Sequence, residues 1–186
     1  MSGSALVDLP YRAMVFARER HLLQVRKYTN DGYIIHLNEV AGLVASLAGT
    51  LESEDLQHML ALAYLHDCIE DQGVIHAELA EQFFLPVADD VMDLSDLEIG
   101  NKKARQAASC ARLAAASWRV QTVKCCDILS NTANMHKHDP TYALIYNQAK
   151  LDALAVLTKA VPALRELAIG QCQANIQLLS QAGHPT

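Results

Sequence analysis

Residues 59–73 read "MLALAYLHDCIEDQG". Seven apolar residues run into a histidine, three carboxylates and a glycine within eight positions. The apolar part has no polar face, which predicts a helix buried on several sides. Gly73 is suited to stop it. Carboxylates near a helix C-terminus are disfavoured by about 0.3–1 kcal/mol each where exposed, and their mutual repulsion grows as the dielectric falls. A bound divalent cation reverses the sign of that repulsion. Residues four apart share a helix face, so the spacing predicts His66 over Glu70 and Asp67 over Asp71 in one polar patch that a buried helix delivers into a cleft.

Outward from this stretch, apolar residues recur at helical spacing almost throughout, and alternating β-branched runs are missing. The predicted fold is all-α. A first helix is expected from about Pro10, near Asp8, to Tyr28, broken by "TNDG" (29–32). "HLNEVAGLVASLAG" (36–49) makes a second, and the third runs unbroken from Ser53 to Gly73. Further helices are expected around "HAELAEQFF" (76–84), after Pro86, from Lys102 to Ala116, and over "VQTVKCCDILSNTANM" (120–135). Asp139 before Pro140 reads as an N-cap and first helical residue of a helix to about Ala160, and Pro162 opens the last, to about Gln181. Ala104, Ala107, Ala108, Ala111, Ala114 and Ala115 permit close helix approach. The whole chain reads as one domain behind a flexible tail over residues 1–8.

The 186 residues are 51% hydrophobic, enough for a substantial core. A net charge of -6, with Lys and Arg scattered, argues against nucleic acid or an anionic membrane as partner. No apolar run approaches the roughly 18 residues of a membrane span, and the N-terminus lacks a leader pattern. The five cysteines, odd in number and without CxxC spacing, read as free thiols of a reducing cytosol. The expected setting is cytoplasmic. Self-association is left open.

His66 and Asp67 are too few to hold a metal. Asp127 interrupts the apolar helix "VKCCDILSN" (123–131), and a buried lone carboxylate is expensive without a partner. A salt bridge to Lys124 or a neighbouring Arg is its alternative explanation. For a further nitrogen ligand, His36 and His21 compete, and spacing does not choose between them. Two imidazoles and two carboxylates make a mixed N/O set suited to Mn²⁺ or Fe²⁺, with Zn²⁺ also accommodated. Lys102, Lys103, Arg105 and Arg112 read as a solvated helix face, with an anionic substrate as the alternative partner.

Four segments in order carry a resemblance. "HLLQVRK" (21–27) is similar to H-x-G-Q-x-R-K, and "GYIIHLNEVAGLV" (32–44) to P-Y-I-x-H-P-x-x-V-A. "ALAYLHDCIED" (61–71) is similar to A-x-L-H-D-x-x-E-D, and "VKCCDILSN" to V-K-x-A-D-x-x-x-N. These are patterns of the metal-dependent HD phosphohydrolases, and the chain resembles the hydrolase domains of RelA/SpoT-type proteins and the stand-alone small alarmone hydrolases.

The resemblance implies a compact HD-domain helical bundle with His36, His66, Asp67 and Asp127 as ligands of Mn²⁺ (or of Fe²⁺ or Zn²⁺). Glu70 and Asp71 match the family's acid pair for water and proton transfer. Arg26, Lys27, Asn131 and Tyr146 match substrate contacts, and His21 becomes a supporting residue. The implied activity is 3′-pyrophosphohydrolysis of (p)ppGpp or (pp)pApp in the manner of the stringent response, without a synthetase domain. An ordinary nucleotide phosphohydrolase, 5′-nucleotidase-like, and a non-catalytic alarmone-binding module are the alternatives. Gly32, Leu37 and Leu22–Leu23 depart from the family pattern beside the base pocket.

Overall fold

The computed structural model describes residues 8–182. The all-α expectation holds: among the described residues there is no strand, only an isolated antiparallel bridge between Val25 and Gly32. In chain order the helices are α1 (Leu9–Arg20), α2 (Ile34–Ala45), α3 (Ser53–Leu65), α4 (Cys68–Gln72), α5 (His76–Phe83) and α6 (Leu85–Leu94). They continue with α7 (Lys102–Ala115), α8 (Trp118–Thr132), α9 (Met135–His138), α10 (Pro140–Val156) and α11 (Pro162–Ala182). Of the tail expected over 1–8, residues 1–7 lie outside the described residues. No helix among the described residues is long and apolar enough to cross a membrane.

The bundle is organised around α8. Every residue from Val120 to Ser130 is buried, so this helix has no solvent face and its polar groups must all find partners. It packs against α2, α3, α6 and α11. The α2 stripe of His36, Leu37, Val40, Ala41 and Val44, at i, i+4 and i+8 spacing, faces inward. α3 is sandwiched between α1, α2 and α8, as its apolar sequence requires. Five free cysteines are present, four of them buried, and they serve as small apolar residues.

Two boundaries differ from expectation, and both shape the site. α1 ends at Arg20, eight residues early, and Arg26 and Lys27 therefore sit on a loop instead of near a helix end. That loop folds back on itself: Arg26 N–H bonds Asp31 C=O at 2.8 Å, and Tyr33 N–H bonds Gln24 C=O at 2.9 Å. Asn30 takes the left-handed turn conformation (φ 59°) that Asn tolerates. The imidazole of His21, buried, stacks on Tyr33 at 5.0 Å and holds the loop base to α2. Leu22 and Leu23 stay exposed, so propagating α1 through them would bury nothing.

The second difference lies in the opening stretch. The helix does not run unbroken to Gly73: it is interrupted at His66–Asp67, where Asp67 has φ −100° and ψ 0°, and resumes as the short α4. Gly73 closes α4 in the left-handed conformation (φ 64°).

Candidate functional site

The interruption aims two side chains at one point. His66 caps α3 with Nδ1 bonded to the Ala63 carbonyl at 2.8 Å, which turns Nε2 inward. His36, from α2, arrives opposite, with Nδ1 against Ser130 Oγ at 2.8 Å. Ser130 spends its own hydroxyl hydrogen on Glu39 Oε2 at 2.5 Å, so the His36 contact requires a proton on Nδ1. Both imidazoles thus present Nε2 lone pairs to each other, 3.3 Å apart.

Two carboxylates complete the convergence. Asp67 Oδ2 lies 3.0 Å from His66 Nε2 and 3.5 Å from His36 Nε2. Asp127 Oδ1 lies 3.4 Å from His36 Nε2 and 3.8 Å from His66 Nε2. His36 and His66 are 1% and 2% exposed and Asp127 4%, so water does not relieve the repulsion among these lone pairs. Donor atoms held at about 2.1 Å from one ion stand roughly 3.0–3.4 Å apart, close to the spacings found. His36, His66 and Asp67 bring ligand atoms within 4.8 Å of one another, and Asp127 adds a fourth within reach of both imidazoles. This donor set fits a divalent cation.

Without a cation the same convergence attracts a proton. Burial alone would lower the His66 imidazole, but Asp67 and Asp127 overturn that and hold it up to about 10. His36 shifts upward in the same way, burial opposing and the two aspartates prevailing. Asp67 and Asp127 lie below the ordinary carboxyl range, because the imidazoles, and Lys124 for Asp127, outweigh the effect of burial.

The remaining lone pairs are occupied. Asp127 Oδ2 pairs with Lys124 Nζ at 3.1 Å, and Oδ1 also accepts from Asn131 Nδ2 at 2.5 Å. The two explanations offered for Asp127 are therefore compatible: one oxygen neutralises a buried lysine and the other faces the imidazoles. The Tyr33 hydroxyl donates to Asp67 Oδ2 at 2.6 Å. His21 does not join the cluster; its Nδ1 meets Gln24 Oε1 at 2.5 Å and its Nε2 lies 3.6 Å from Cys68 Sγ.

The acids Glu70 and Asp71 lie on α4, after the break, and are held from two different loops. Glu70 Oε2 accepts from Asp96 N–H at 2.8 Å, on the loop after α6. Asp71 Oδ2 accepts from Gln24 Nε2 at 2.8 Å, on the loop after α1. Both residues are exposed. Partial burial of the Glu70 carboxyl against the 95–98 loop pushes it above the ordinary range, against the pull of Asp96 N–H.

Two cavities border residues next to the cluster: Tyr33, Ser130 and Asn131, bonded to Asp67, His36 and Asp127, line one, and Glu70 lines the other. One, of about 360 Å³, is lined by Arg26, Lys27, Tyr28, Asn131 and Tyr142, together with Glu39 and Ser130. Lys27 Nζ stands over the rings of Tyr28 (5.0 Å) and Tyr142 (5.4 Å). The other, of about 300 Å³, is lined by Lys102, Arg105, Tyr146 and Lys150 together with the carboxylates of Glu70, Asp96 and Glu98. Tyr146 lines this second cavity, and its ring stands 5.7 Å from that of Tyr142, which lines the first. Lys102 and Arg105 are exposed, as expected of a solvated face, and also line the second cavity, whereas Arg112 is taken up by Glu98 and Asp96. Lys102, Arg105 and Lys150 make no ion pair among the described residues. Sequence reasoning missed Tyr28, Tyr33, Glu39, Ser130, Tyr142 and Lys150; one available signal was the i, i+4 spacing of Tyr142, Tyr146 and Lys150 on a single helix.

A family model described as HD domain matches residues 13–160. Among solved structures, one described as a metazoan ortholog of SpoT that hydrolyzes ppGpp and plays a role in starvation responses superposes with a TM-score of 0.73. The match covers 94% of each chain at 19% sequence identity.

Proposed function

The chain belongs to the HD-domain family, a family of phosphohydrolases, and from that premise we propose that it removes the 3′-pyrophosphate from a purine nucleotide alarmone. The substrate would be (p)ppGpp or (pp)pApp, and the products pyrophosphate and the 5′-di- or triphosphate nucleoside. The observation that carries this reading is a pair of unlike cavities, one lined by residues bonded to the His–Asp cluster and the other by Glu70. An aromatic, basic cavity suits a purine nucleoside, and three cations without ion pairs suit a group with several phosphate oxygens. The structural relative, described as hydrolyzing ppGpp, points the same way.

His36, His66, Asp67 and Asp127 would hold the metal, and their mixed N/O chemistry favours Mn²⁺, with Fe²⁺ or Zn²⁺ accommodated. When bound, a divalent ion supplies positive charge against the phosphate and acidifies water. Lys27, Tyr28 and Tyr142 bind the base and Asn131 the ribose. Lys150 and Tyr146 receive the pyrophosphate. Asp71, fixed by Gln24, orients the attacking water towards the phosphorus carried by O3′. Glu70, the acid pushed up by burial, holds the proton that O3′ needs as its bond to phosphorus breaks. The nucleotide substrate and the absence of a membrane-spanning helix among the described residues agree with a cytoplasmic setting.

A panel with equal amounts of guanine and adenine alarmones, alongside 5′-mononucleotides, tests the reading in Mn²⁺-loaded protein. The expected result is pyrophosphate from the alarmones and nothing from the mononucleotides. Orthophosphate from mononucleotides instead would favour a 5′-nucleotidase, and binding of alarmones without cleavage a sensing module.

A further inference from the structure

Ser130 behaves unlike the other buried serine and threonine hydroxyls. Thr122, Thr132 and Ser95 turn back onto the carbonyl four residues earlier, at 2.7, 2.7 and 2.8 Å, as helical hydroxyls commonly do. Ser130 turns away from its own helix. It accepts from His36 Nδ1 at 2.8 Å and donates to Glu39 Oε2 at 2.5 Å. The same Glu39 oxygen accepts from Arg26 Nη1 at 2.6 Å, and Arg26 Nη2 reaches the Ser130 carbonyl at 3.4 Å. Four residues from three segments, the 21–33 loop, α2 and α8, therefore form one chain ending on an inward-facing imidazole.

The geometry points to Glu39 and Ser130 as positioning residues for His36. The carboxylate takes the Ser130 hydrogen, the hydroxyl oxygen is thereby left to accept, and His36 must carry its proton on Nδ1 and offer Nε2 to the cation. The logic is that of a carboxylate orienting a ligand histidine, with a hydroxyl interposed. Because Arg26 occupies the same Glu39 oxygen, the wall of the nucleoside cavity and the orientation of a metal ligand depend on one carboxylate. Glu39 is 47% exposed, so it is not needed as a core residue. The inference rests on the metal-binding reading of the cluster.

The test is Mn²⁺ affinity, by calorimetry on the full chain, for wild type, Ser130→Ala, Ser130→Thr and Glu39→Ala. Loss of an orienting partner typically weakens a metal by about 10–100-fold. Ser130→Ala is expected in that range and Glu39→Ala below it, while Ser130→Thr, which retains the hydroxyl, binds like wild type. Because Glu39 is exposed, Glu39→Ala is expected to unfold at the wild-type temperature without metal, a combination a merely structural role does not give. Wild-type affinity in both Ser130→Ala and Glu39→Ala overturns the inference while leaving the metal site standing. No Mn²⁺ binding by wild type overturns the metal-binding reading, and the inference with it.

Discussion

The His–Asp cluster, two of whose members are His66 and Asp67, and the Glu70–Asp71 pair a few residues further on are opposites in environment. Two imidazoles and Asp127 are sealed from solvent and have almost every hydrogen-bonding atom assigned: Nδ1 of each ring, both oxygens of Asp127 and the Oδ2 of Asp67. The two acids are exposed, and each is held by a single hydrogen bond from a loop. A site that must retain an ion gains from rigidity. Groups that must exchange protons with water and a departing oxygen need access. The contrast separates holding from turning over, and mutants on the two sides are expected to fail differently.

The largest effect is expected on the sealed side. Asp127→Ala removes a donor and strands Lys124, which is buried beside it. Breaking such a pair costs about 3–5 kcal/mol, so denaturant unfolding of the metal-free variant is predicted to shift by that amount, with Mn²⁺ binding lost as well. Unchanged stability would show that Lys124 reaches solvent or another carboxylate.

Next in size, Glu70→Gln and Asp71→Asn are each expected to lower kcat by about 10²–10⁴-fold while Mn²⁺ affinity stays at the wild-type value. A loss of metal in either variant would erase the distinction between the two regions. Lys150→Met is expected to weaken inhibition by inorganic pyrophosphate by roughly 10–100-fold, the worth of a hydrogen bond to a charged group, and to leave GDP binding alone. Equal losses for both ligands would mean that the two cavities are not separate subsites.

A subtler effect concerns pH. The His66 imidazole is raised above its unfolded value of 6.5, to about 10, by Asp67 and Asp127. Its stabilising contribution in the metal-free chain is therefore fully present below pH 6.5 and is lost as pH rises towards 10. The metal-free chain is predicted to lose thermal stability over that interval, and the Mn²⁺-loaded chain to lose less, since a bound cation replaces the proton. Parallel pH profiles would contradict the assignment of His66 to the cation.

Much of this architecture is legible in the sequence because it is local. The Asp139–Pro140 start of α10 is a short-range signal, and the Asp139 side chain accepts from Tyr142 N–H as such a cap should. The all-α class follows from periodicity alone. The break at His66–Asp67 does not, because what stabilises it is tertiary: the Asp67 oxygen held by Tyr33 and the imidazole ends meeting across α2 and α3. The loop after α1 is hidden for the same reason, since Leu22 and Leu23 mimic a helical stripe that the fold leaves in solvent. Lys102, Arg105 and Lys150 look like scattered surface charge until α7 and α10 pack and gather them into one cavity.

The most direct test is a ³¹P NMR time course of ppGpp with the purified chain, first stripped by a chelator and then restored with Mn²⁺. The account predicts no change in the stripped sample and, on restoration, a pyrophosphate resonance growing in step with GDP. Orthophosphate as the first product, or equal turnover in the stripped sample, would contradict it.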